Sequence, residues 1–220
     1  MGTPDFASTH FKGGHMLTIQ TRRLTRPMFF ASIIAMAGCA SGTQGGSGGG
    51  VNGMANMLSS WPEKQRETIT MMTTKYGQPA VIADRMVVWH GTGPFTSTMV
   101  LRDAVPHNFP MPHMDYLTQT VRHTVPSGKV NQLHEYDGSV WVHRTRGEMS
   151  AQCDLEPMNF LALNLAHDII TGQRTVADAR AFYAKTAMAF KGGDRSSPYV
   201  NGLRFQAEPG AADPDKPHSM

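Results

Sequence analysis

His107, His113 and Asp115 lie within nine residues, in and just after a stretch that carries prolines at 106, 110 and 112. Imidazole nitrogens and a carboxylate are ligands for zinc or ferrous iron, and a proline-stiffened segment gives up little entropy in holding them. Their spacing matches no established metal motif. The apolar residues Met114, Leu117 and Val121 predict a helix beginning near His113. On that helix His113 and Asp115 face different directions. The competing expectation is that one of them caps the helix while Phe109 fills the core.

A second polar group sits inside the most apolar segment of the chain. Asn164, His167 and Asp168 are three and four residues apart, so on a helix they share a face. Buried polar groups must find hydrogen bonds. The ordinary expectation is a structural polar network reaching Arg144 or Tyr183; a partner-facing seam or an acid–base pair is the alternative. Cys153 reads as a buried, inert thiol. The scattered methionines (Met71, Met72, Met111 and Met114 among them) read as core filling rather than copper ligands. No Gly-x-Ser-x-Gly elbow and no Cys-x-x-Cys-His occur, which removes the serine-hydrolase turn and c-type haem from consideration.

The elements that must position these residues are legible in part. Trp61-Pro62-Glu63 opens a helix with Ile69, Met72 and Tyr76 at helical spacing, stopped by Gly77 and Pro79. Residues 81–101 read as strand, Gly-rich turn and strand. A short helix around Val130 and Leu133 precedes the Tyr136-Asp137-Gly138 turn, a strand over 139–143, and residues 148–152 pairing back onto it. Then comes the apolar helix of residues 160–170, a capping box at Thr175–Asp178, and a last helix through Phe190. Helices and hairpins in this order predict an α+β class: one small domain of helices on short antiparallel hairpins. Its expected limits are residues 57–190, with 191–220 a flexible tail.

The formal net charge of +3 is contributed by Lys12, Arg22, Arg23 and Arg26 against Asp5, so the chain from Cys39 onward is neutral. A neutral body lacks the field that binds phosphate backbones, and nucleic acid is not an expected partner. The three arginines precede an apolar run from Pro27 to Ala37, too short to span a bilayer and shaped as a secretory signal. It ends Met36-Ala37-Gly38-Cys39-Ala40-Ser41, which resembles the lipobox of bacterial lipoproteins. The resemblance implies a signal over residues 16–38, cleavage before Cys39, and a covalent lipid on that cysteine as the sole cofactor-like group. It also implies anchorage at the periplasmic face of the outer membrane, because Ala40 and Ser41 follow rather than an aspartate.

Residues 1–15 read as an over-extended start or cloning remnant, and the Gly/Ser-rich residues 39–56 as a lipidated tether. The opening helix, the Tyr76-Gly77-Gln78-Pro79 stop and the hairpin are similar to small periplasmic α+β lipoproteins of the outer-membrane assembly type. The later segments, such as residues 107–113 and 159–168, resemble uncharacterised bacterial proteins. The expectation is a lipid-anchored binding module for an envelope partner or ligand, rather than an enzyme. The alternative is a metal-assisted hydrolase using His107, His113 and Asp115.

Overall fold

A computed structural model describes residue 53 and residues 56–219; the residues read above as a signal, Cys39 and most of those read as a tether lie outside them. Helix α1 (Glu63–Tyr76) starts after Pro62, a position where the missing N–H is harmless, and ends at Gly77, whose φ of 82° only glycine adopts freely. Ile69 and Met72 face inward beside the buried Trp61. Six strands follow among the described residues: β1 (Val81–Ile82), β2 (Met86–Thr92), β3 (Phe95–His107), β4 (His113–Arg122), β5 (Val140–His143) and β6 (Glu148–Cys153). They form one antiparallel sheet in the order β1-β2-β3-β4-β6-β5. The α+β class is therefore as the sequence predicts, in one domain.

Residues 113–122 correct the sequence reading: they are the central strand β4, not a helix. The register pairs Leu117 with Val100 and Cys153, so Leu117, Gln119 and Val121 line the inner face with Val87, Trp89, Met149 and Ala151. The outer face carries hydroxyls instead, Thr118 on Gln152 at 3.0 Å and Thr120 on Ser150 at 2.8 Å. A polar residue at an inner position and buried hydroxyls outside hide the two-residue alternation that marks a strand. The buried Gln119 is satisfied: its amide donates to Glu156 at 2.8 Å, and its carbonyl oxygen accepts from Asn159 at 3.2 Å. Glu156 also receives Lys75 and Tyr76, tying α1 to the next helical layer.

That layer comprises α2 (Val130–Tyr136), α3 (Glu156–Ile170) and α4 (Val176–Lys191). In α3 twelve of fifteen residues are buried, so this helix has no solvent face and needs cover on every side. The sheet and α4 provide part of it; Thr175 caps α4 by accepting from the Asp178 amide at 3.1 Å. The rest comes from residues 195–211, which correct the expectation of a flexible tail from 191 and of a domain ending at 190. Val200 and Ala211 are buried in this strap. It is pinned to the sheet by Glu208 N–H to Arg122 C=O at 3.1 Å, and by Thr124 N–H to the Glu208 carboxylate at 3.0 Å. Gly- and Pro-rich composition permits the strap to follow α3 closely; it does not make it loose.

Candidate functional site

The strand conformation of residues 113–122 assembles the first candidate group. Residues i and i+2 of a strand share a face, so His113 and Asp115 point the same way, and the ladder sets His107 directly opposite His113. The earlier objection, that the two would diverge, disappears with the helix, as does the capping role. One ligand atom from each of His107, His113 and Asp115 lies within 4.8 Å of the other two. Asp115 Oδ2 is 3.1 Å from His107 Nδ1, and Oδ1 is 3.0 Å from His113 Nε2. Phe109 fills the core edge as expected, its ring 5.1 Å from that of Tyr183.

These short approaches are off the hydrogen-bond line. Buried His107 Nδ1 and Asp115 Oδ1 have no hydrogen-bond partner despite them. A metal cation shared by these atoms would take the place of the proton that otherwise pairs His113 with Asp115. The outer nitrogen of His113 is held as that of a metal-binding histidine usually is, while that of His107 has only a distant carboxylate. His113 Nδ1 donates to the Met111 carbonyl at 2.8 Å, and His107 Nε2 lies 3.6 Å from Asp137 Oδ1. Asp137 is itself fixed by the amide and hydroxyl of Ser139, each at 2.8 Å. The Asp115 carboxylate beside it raises the pKa of His113 to about 9, against the opposing effect of burial. Burial pushes the Asp137 carboxyl up.

Two further groups reach this site that the sequence does not point to. Cys153 Sγ lies 3.4 Å from His113 Nε2, brought there because Cys153 pairs with Leu117 across the ladder. Burial pushes its thiol well above the ordinary value. Asp137 reads in the sequence as an Asp-Gly turn and nothing more; neither residue has a spacing that points to the histidines. The group lies between two cavities. His113 opens on one of about 370 Å³ at the α3–α4 end, while His107 and Asp115 line another of about 360 Å³ beside Ser139 and Trp141.

The second group does not form one network. Asn164 donates to the carbonyls of Tyr199 and Gly202 and accepts from Arg204 N–H at 2.6 Å. Asp168 accepts from Arg174 at 2.9 Å and Tyr199 at 2.8 Å. His167 Nδ1 meets His123 Nε2 at 2.8 Å and stacks on Phe205. All three thus turn toward the strap or the loop beneath it. Arg144, expected as a partner, instead pairs with Asp213 and Asp215, and Tyr183 lies beside Tyr136 and Phe109. No family model, curated protein or solved structure matches this chain.

Proposed function

We propose that this chain is a lipid-anchored envelope protein whose domain holds one divalent transition-metal ion on His107, His113 and Asp115 and uses it for metal-assisted hydrolysis. The convergence of three ligand atoms within 4.8 Å, on a buried carboxylate whose Oδ1 has no aligned hydrogen-bond partner, carries this reading. Two imidazoles and one carboxylate suit zinc or ferrous iron, and three protein ligands leave a position for water or substrate. Such an ion lowers the pKa of its bound water toward neutrality. The chain's own part is to fix the ligands: the β3–β4 ladder sets their spacing, Met111 orients His113, and Asp137 flanks His107. The cavities on either side give a reactant two ways in.

Metal analysis of the natively purified full chain tests the centre. About one equivalent of zinc or iron is expected, lost in His113→Ala and Asp115→Asn. Asp137→Asn keeps the ligands but loosens their setting, which typically weakens binding 10–100-fold. A wild-type chain that takes up no zinc at micromolar concentration refutes the centre and leaves the binding module as the reading. The anchor is tested separately: Cys39→Ser should accumulate as an unlipidated precursor, and a Ser variant that matures and floats with membranes would sink the lipoprotein reading.

A further inference from the structure

The cavity of about 370 Å³ beside His113 has a chemistry of its own. Leu155, Met158, Tyr183, Ala187 and Phe190 supply apolar walls from the start of α3 and the inner side of α4. His113 and Cys153 complete the lining on the sheet side. Two exposed cations also line it, Lys191, which closes α4, and Arg195, which opens the strap. The Lys191 ammonium lies 3.6 Å from Met111 Sδ, and the Arg195 guanidinium lies over the Phe190 ring at 3.5 Å. Arg195 also donates to the carbonyls of Phe190 and Asp194. Among the described residues neither cation has a carboxylate within 4.0 Å. Asp154 also lines the cavity, but its carboxylate is turned to Cys153 Sγ at 3.5 Å.

From the apolar walls and the unmatched cationic lip, we infer that this cavity binds a monoanionic amphiphile of the medium-chain carboxylate class. The chain lies along Leu155, Met158, Tyr183 and Phe190, and the carboxylate sits between Lys191 and Arg195. Sites of this kind gain affinity from apolar burial and orientation from a few placed polar groups. A neutral hydrocarbon leaves both cations unmatched. A polyanion such as a nucleotide places further charge against the apolar walls and Asp154. The assignment does not depend on the metal centre, because Lys191 and Arg195, and not the candidate metal ligands, recognise the anion.

Isothermal titration of the full chain with dodecanoate below its micellar concentration, in EDTA, tests this. One equivalent should bind, and butanoate should not. The double variant Lys191→Ala/Arg195→Ala should weaken dodecanoate about tenfold, the effect of losing roughly 1.4 kcal/mol of charge-assisted contact. Dodecanol should bind wild type and double variant alike. Ala187→Phe, which fills the cavity from a buried position, should abolish binding while the melting transition is retained. No binding in wild type, or an unchanged affinity in the double variant, overturns the assignment. So does binding that appears only after zinc is restored, since the ion would then be recognising the carboxylate. Failure of metal uptake with dodecanoate binding intact refutes the metal centre alone.

Discussion

Replacing Asn164 by Ala isolates what the strap contributes to the fold. The side chain is fully buried, and its three hydrogen bonds all go to residues 199–204. A buried polar group left without a partner costs about 1–3 kcal/mol. Tyr199, Gly202 and Arg204 are not themselves buried, so part of what Asn164 releases turns to water, and a net loss of about 2–3 kcal/mol is expected. For a domain of this size each kcal/mol moves the melting temperature by about 2–4 °C, which gives a fall of about 4–12 °C. Asn164→Asp is the sharper variant: it retains the acceptor for Arg204 but sets a carboxylate against two carbonyls, and should melt lower still. Hydrogen exchange should show protection lost at the Arg204 amide in both, while β4 and β6 stay protected. A fall smaller than about 2 °C, or a large fall with Arg204 still protected, refutes the view that Asn164 secures the strap.

Gly147 offers an independent probe of the same segment. Its φ is +63°, and an added Cβ would meet the Ala211 carbonyl carbon at 2.2 Å. Gly147→Ala should therefore cost well over the ~1–2 kcal/mol of the left-handed backbone alone, whereas Gly172→Ala, at φ +76° with open space around it, should cost only that; equal denaturation midpoints would contradict the contact. The pH dependence follows from His167, whose pKa is lowered by burial and by His123, with Asp168 and Glu208 opposing. The unfolded chain takes up this proton near pH 6.5 and the folded chain only below it. Its contribution to stability is therefore complete above that pH and lost as the pH falls through it and below. Melting at pH 7.5 and 5.5 should show a larger acid loss in wild type than in His167→Gln, and parallel losses would be incompatible with this assignment.

Where local signals and tertiary demands agree, the sequence is easily read. Pro62 and Gly77 bracket α1, and Thr175 with Asp178 opens α4, because caps act within four residues. Strand β4 is misread because its inner face accommodates Gln119, a choice intelligible only once Glu156 and Asn159 are beside it. The candidate ligands were named from residue type, but their convergence depended on that strand and on the pairing of His107 with His113. Asp137 and Cys153 reach the site through turns and ladder register, which no spacing encodes. The strap is illegible in the sequence because glycine and proline report backbone freedom in the unfolded chain, whereas its order is imposed by a helix that is buried nearly all round.

The order of elements along the chain has a consequence for how the protein is made. Asn164 must wait for residues 35–40 positions further on before its hydrogen bonds can close. At about 5–20 residues per second of synthesis, α3 is exposed for roughly 2–8 s with an unsatisfied amide and an apolar surface on the side the strap will cover. During that interval α3 presents apolar surface that a folded domain would cover. The late-arriving strap therefore works as a timer: the domain can close over α3 only once most of the chain has been made.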